Sequence, residues 1–277
     1  MVKEDRVREI ALAVLDQGRS FPNAVVLATD AKTLSIEGGR VILPPRTKFL
    51  VIDGQHRIYA QKFSSYEGKY ASIIHVGLDE VAMARLFLEI NDNQRRVPSS
   101  LRWDLVRLVR PDDDPGAIAA AELVFELASN KESPLFQRID LTGEQGEKDL
   151  KQGSVAPELK TLVNSKKGGF KKLDFEQHYE TLQKFLVAVK SVDASEWRSG
   201  QTPFLKARVF RALLRLLPDI AVYAGKAPHL IPIAEFKRKL VQIDRDSLSD
   251  EEIRAVQGSA GIKEIYSMLL EQTGLGE

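Results

Sequence analysis

The sequence predicts an α/β protein, with a small mixed-sheet domain followed by a mostly helical one. Three observations lead there. Short β-branched runs alternate with helical spacing in the first third of the chain, convincing strands disappear from Pro98 onward, and nearly every periodic segment after that point is helical. A length of 277 residues with 43% hydrophobic content suits one large domain or two small ones.

In order along the chain, Val7, Ile10, Ala11, Val14 and Leu15 take the spacing of an amphipathic helix over residues 2 to 17, with Gly18 as its stop. Ala24 to Leu27, Val41 to Leu43 and Lys48 to Ile52 read as strands, separated by Gly38-Gly39 and Pro44-Pro45. The run Phe49 to Ile52 breaks into Asp53-Gly54-Gln55-His56-Arg57, after which Ile58, Tyr59, Ala60 and Phe63 resume helical spacing: a strand, a glycine turn and a helix. Another strand, Ala71 to Val76, leads through Asp79 and Glu80 into a helix with Val81, Ala84, Leu88 and Ile90 among its apolar positions. A boundary is placed near Pro111, giving a first domain over 1–110, a helix and mobile connection over 111–153, and a helical domain over 154–277. Asp112-Asp113-Asp114-Pro115 is read as an N-cap at Asp114 with Pro115 at the first helical position, in preference to a metal-binding acid cluster. Three glycines and mixed charges mark 140–153 as the mobile part. Helices are expected over 154–165, 173–190, 204–217, 232–242 and 258–271.

Composition excludes several classes. With 40 basic and 39 acidic side chains, attraction to nucleic acid must come from local patches. The absence of cysteine removes disulfides, thiolate metal sites and thiol redox chemistry. No apolar run approaches the roughly 20 residues that span a bilayer, so a cytoplasmic protein without a membrane partner is expected. His56, His75, His178 and His229 lack ligand spacing, and neither a Gly-x-Ser-x-Gly elbow nor a P-loop is present.

The polar pentad Asp53 to Arg57, directly after a buried strand, is the strongest chemical signal. Gly54 lets an oxyanion approach the backbone, Arg57 suits two parallel bonds to phosphate, His56 can donate or transfer a proton, and Asp53 can orient the histidine or hold a Mg²⁺ water. The alternative is a plain strand-to-helix turn, with Asp53 as cap and Arg57 paired to a nearby carboxylate. A second polar cluster, Asn91-Asp92-Asn93-Gln94-Arg95-Arg96, ends a helix, and on composition alone it reads as a helix C-cap.

The pentad matches the signature of the DGQHR-domain family, and Phe87, Ile90, Asn91 and Gln94 resemble its second box. Arg6-Val7-x-x-Ile10 and Phe21-Pro22-Asn23 extend the resemblance over roughly residues 2 to 105. The family includes DndB-like and DpdB-like proteins of phosphorothioate and deazapurine DNA-modification systems, and its domain is similar to the ParB/sulfiredoxin superfamily. The resemblance implies a nucleoside triphosphate, ATP favoured, with Mg²⁺. Gly54, Gln55, His56 and Arg57 would lie on the phosphates, with Asn91, Gln94 and Arg95 closing over them. Asp53, His56 and Arg57 are the catalytic candidates; Asp53 and Asp92 are the metal candidates. Gln55 stands where sulfiredoxin has its reactive cysteine, which excludes that reductase chemistry, and Asn91-Asp92 replaces the Glu-Asn of ParB proteins. Family members usually carry a strand-bearing segment before the first helix, whereas this chain opens almost directly on Arg6-Val7.

Nucleic acid has its own candidates. Arg95, Arg96, Arg102, Arg107 and Arg110 form one basic run, and Lys160, Lys166, Lys167, Lys171 and Lys172 another, with Gly168-Gly169-Phe170 inside it. On the helix 204–217, Arg208, Arg211 and Arg215 are expected to lie opposite the apolar face as a DNA-facing stripe, or else as an ordinary solvated face. Two functions follow: an NTPase of a DNA-modification system, or a DNA-binding regulator of the modification operon with a non-catalytic pocket. A scaffold for other modification-system proteins is a third, and a homo-oligomer is compatible with each.

Overall fold

The computed structural model describes residues 4–19, 21, 23–29, 35–92, 98–143, 148–248 and 258–276. The chain is α/β and divides into two compact units, 1–97 and 98–277. The division falls where strands disappear from the sequence, ahead of the expected boundary at Pro111. The helix α4 (Ser99–Val109) packs on α5 (Pro115–Ser129) and α6 (Gln152–Val163), which assigns it to the second unit. Pro111 follows a left-handed Arg110 and serves only as a turn between α4 and α5.

The first unit is built on a three-stranded sheet. Strand β1 (Val25–Thr29) is central, antiparallel to β4 (Leu50–Asp53) and parallel to β5 (Ser72–Val76). A separate hairpin pairs β2 (Ser35–Glu37) with β3 (Arg40–Ile42) across Gly38-Gly39. Helix α1 (Glu4–Ile10) continues as a π turn through Leu15 and ends at Gly18, whose φ of 63° stops it where the sequence predicts. Its Val7, Ala11 and Leu15 meet Ala60 of α2 (Gln55–Ala60), in agreement with the predicted spacing. Helix α3 (Glu80–Asp92) lies on the sheet through Met83, Leu86, Phe87 and Ile90, against Val26, Ala28 and Ile52. This stripe has i, i+3, i+4, i+7 spacing, and it is rotated from the one expected around Val81 and Leu88.

The second unit is a helical assembly around one large core. Its centre is α9 (Ala207–Ala224), which packs against α6 and α11 (Gly258–Gln272). The sequence predicts an end at Leu217, before Pro218, yet the helix runs on to Gly225 at φ 62°. An interior proline costs about 3 kcal/mol. Burial of Ile220 and Ala221 beyond it offsets that penalty by holding the last turn in the core. Helix α7 (Phe175–Val192) opens with a capping box between Asp174 and Gln177, and it packs on α10 (Ile233–Leu240). The short α8 (Ala194–Ser199), absent from the sequence reading, buries Trp197.

The expected N-cap is present: Asp114 accepts a hydrogen bond from Ala117 N, with Pro115 in the first turn. The expected mobile connection over 140–153 is anchored at both ends. Strands β6 (Ile139–Asp140) and β7 (Leu150–Lys151) pair in parallel with Ile139 and Leu150 buried, and α6 begins at Gln152. Arg138 adds a 2.6 Å ion pair to Asp149 and a 2.7 Å bond to the Trp197 carbonyl. Residues 144–147 lie outside the described residues.

Candidate functional site

Strand β4 delivers the pentad to the surface and α2 carries it away. Gly54 sits between them at φ 91°, and a Cβ there would lie 2.6 Å from the Val25 side chain. Only glycine satisfies both the left-handed turn and this close approach to β1. The turn is closed by bonds from the N–H groups of Arg57 and Ile58 to the Gly54 carbonyl, at 3.0 and 3.1 Å.

Arg57 is committed within the fold. Its guanidinium donates to Asp53 at 2.9 Å, to the Ala24 carbonyl at 3.2 Å and to the Asn23 carbonyl. It thereby ties the first turn of α2 to the residues leading into β1. The sequence alternative for this residue, pairing with a nearby carboxylate, is the observed geometry, and the carboxylate is Asp53. Asp53 is not the side-chain cap of α2, whose N-cap position is Gly54. Tyr70 stacks on Phe21 with ring centroids 5.5 Å apart and donates its hydroxyl to the Arg57 carbonyl at 3.2 Å. Burial raises the Tyr70 pKa, so its hydroxyl keeps its proton at neutral pH. Gln55 is exposed and His56 half-buried on the first turn of α2.

Asn91 and Asp92 end α3, the helix whose Phe87 and Ile90 rest on the sheet core that contains Ile52 of β4. The side chains of Asn91 and Asp92, and all of Gln94 and Arg95, lie outside the described residues. Among the described residues no cluster of three or more His, Asp or Glu side chains is placed to hold a metal ion. Asp53 has its Oδ2 engaged by Arg57. A cleft of about 390 Å³ lined by Ala28, Thr29, Lys48, Leu50, Leu78 and Met83 opens in the first unit. It lies at the far end of the β1–β4 pair from Asp53, because Ala28 is paired with Leu50 and Val26 with Asp53.

The arginines predicted as a DNA-facing stripe have a different arrangement. Arg211 and Arg215 converge on Glu158 of α6: Arg211 Nε donates to Oε1 at 2.9 Å, Arg215 Nε to Oε2 and a terminal nitrogen to Oε1, both at 2.9 Å. Glu158 is only 4% exposed in its side chain. Burial raises its pKa, but the bonds and charges of Arg215 and Arg211 together outweigh that and leave it below the usual glutamate value. One turn further along α9, Asp219 accepts from the Tyr266 hydroxyl at 2.8 Å and pairs with Lys167. Burial, then the bond to Asp219, pushes the Tyr266 pKa up to about 12. Arg211, Arg215 and Lys167 thus pair with buried carboxylates, although Lys167 itself stays exposed and the two arginines are half-buried, as is Arg208. Lys166, Lys171 and Lys172 stay exposed around Gly168 and Gly169, both left-handed, with Phe170 buried as the anchor of the loop. The first basic run is also partly engaged, with Arg107 over the Phe125 ring at 4.0 Å and Arg110 paired to Glu122.

Sequence reasoning missed Glu158. Its signal was an acid at the apolar spacing of Val155, Leu159 and Leu162, where a buried carboxylate requires a cationic partner. No family model, curated protein or solved structure matches the chain. Among the described residues no helix is long and apolar enough to cross a membrane.

Proposed function

We propose that the chain binds a nucleoside triphosphate, ATP favoured, at the Asp53–Arg57 turn, and turns it over in the service of a DNA-modification system. The observation that carries this reading is the turn itself, in which a left-handed Gly54 packs on Val25 and sets Gln55 and His56 at the surface. The resemblance of this pentad to the DGQHR signature supplies the ligand class. In this reading Asp53 and Arg57 hold the turn, Gln55 and His56 meet the phosphates, and His56 stabilises developing phosphate charge. Asn91, Gln94 and Arg95 would close the site. Mg²⁺ arrives on the nucleotide's own oxygens, as is usual for this ion.

The test is calorimetric titration of ATP, CTP and GTP with Mg²⁺ into the wild type and His56→Ala, followed by a phosphate-release assay. Selective binding, with turnover lost in the variant, is the expected result; unchanged turnover in His56→Ala would refute the catalytic assignment.

The second reading, a DNA-binding regulator of a modification operon, is favoured by one observation. Lys166, Lys171 and Lys172 form an exposed basic loop on a buried Phe170 anchor. Charge reversal at these three lysines should weaken DNA binding and flatten its salt dependence. Reversal without effect would remove this reading.

A further inference from the structure

We propose that the cleft between the end of the β1–β4 pair and the start of α3 binds an aliphatic monocarboxylate, with its chain among Ala28, Leu50, Leu78 and Met83 and its carboxylate on Lys48. Neither the nucleotide reading nor the DNA reading uses this cleft, and Asp53 stands at the opposite end of β4 from Leu50.

The cleft exists because α3 covers only part of this face of the sheet. Met83, Leu86, Phe87 and Ile90 pack on Val26, Ala28 and Ile52, and Ile52 is 8% exposed beneath them. Leu50 is paired with Ala28 and so shares its face, yet it is 61% exposed. The helix begins at Glu80, and Met83 is the first of its residues on the sheet core. Its cover therefore reaches Ala28 and stops short of Leu50. The volume left open, about 390 Å³, lies within the range of small-molecule pockets.

The lining selects the ligand class. Ala28, Leu50, Leu78 and Met83 supply aliphatic surface, and the flexible thioether of Met83 adapts to an irregular chain. Among the described residues no aromatic ring lines the cleft to stack a base, and no arginine, asparagine or glutamine to read one by paired bonds. The polar members are Thr29, which is 5% exposed with its carbonyl taken by Gly77 N, and Lys48. Lys48 is exposed, and its ammonium makes no ion pair or hydrogen bond among the described residues. Asp79, next to Leu78, has its Oδ1 on Ala82 N at 2.7 Å as the cap of α3. A single compact cation suits a monoanion, where a phosphate favours the fork of arginine. One unpartnered ammonium beside an aliphatic wall thus matches a carboxylate with an aliphatic tail.

The experiment is calorimetric titration of the full chain with hexanoate, octanoate and decanoate, and with 1-octanol as the uncharged control. Circular dichroism melts establish that each variant is folded. Octanoate should saturate one site, and affinity should rise about fourfold for each methylene buried until the chain fills the cleft. Lys48→Met keeps a long apolar stem and removes the charge, so it should weaken octanoate about tenfold and leave 1-octanol unchanged. Leu50→Glu, at an exposed position, sets a like charge beside the carboxylate and should abolish measurable octanoate binding. Absence of octanoate binding to the wild type would overturn the proposal. So would an affinity independent of chain length, or octanoate binding in Lys48→Met and Leu50→Glu equal to that of the wild type.

Discussion

Replacing Glu158 by Gln tests whether Arg211 and Arg215 are braces or free cations. The carboxylate takes three 2.9 Å bonds from two guanidinium groups and is 4% exposed, whereas the arginine side chains are 30% and 36% exposed. Removing one partner of a fully buried pair costs about 3–5 kcal/mol. Here the guanidinium groups can still reach water and glutamine keeps one acceptor, so the loss falls to about 2–3 kcal/mol. For a unit of this size that lowers Tm by about 4–12 °C. The pH profile carries a second signature. A folded-state pKa below the ordinary glutamate value means that this stabilisation is fully present above about 4.5 and is lost as pH falls through the folded value. Glu158→Gln should remove that acid-side decline. Urea unfolding at pH 7 and across the acid range measures both effects, and a cycle with Arg215→Met isolates the coupling. A change under about 0.5 kcal/mol, the scale of ordinary surface substitutions, would refute the brace and return both arginines to the solvent-facing stripe.

Two further substitutions probe the other arguments. Gly54→Ala meets a left-handed backbone and a 2.6 Å approach to Val25, so it should destabilise the first unit by about 2–4 kcal/mol in denaturant unfolding; a near-neutral result would contradict the tight turn. His178 is 5% exposed with its Nδ1 unpartnered among the described residues, and burial lowers its pKa despite the opposing charge of Asp174. The unfolded chain therefore takes up a proton below about pH 6.5 that the folded chain resists, and stability should decline there by up to about 1.4 kcal/mol per pH unit. His178→Leu should flatten that decline in urea midpoints compared at pH 5.5 and 7.5, and an unchanged slope would assign the titration elsewhere.

Local signals were legible wherever one residue type had one physical use. Gly18 ended the first helix and Asp114-Pro115 opened α5, because a left-handed stop and an N-cap are decided within a few residues. The end of α9 was not legible: Pro218 is a local breaker, and what overrides it is burial of Ile220 and Ala221 against distant helices. The anchoring of the two ends of the connection over 140–153 was not legible for the same reason, since its glycines are local while Ile139, Leu150 and the Arg138–Asp149 pair are held by tertiary packing. The pairing of the arginine stripe was not legible, because helical spacing places Arg211 and Arg215 on one side without revealing that α6 offers them a buried carboxylate.

The pentad shows where such reading reaches its limit, and it tells which variants carry information. Of its five residues, Asp53, Gly54 and Arg57 have structural duties: the left-handed turn, its packing on Val25, and the brace to the carbonyls of Asn23 and Ala24. Gln55 is exposed, and a strand-to-helix turn that used these three alone would work equally well with another polar residue at that position. In the proposed reading the ligand is what calls for Gln55 and His56. Arg57→Ala would then lose nucleotide binding and the turn together, as a purely structural arginine would predict too. Gln55→Ala and His56→Ala leave the brace intact, so loss of nucleotide binding in these variants, at unchanged unfolding midpoints, separates a ligand site from a well-made turn.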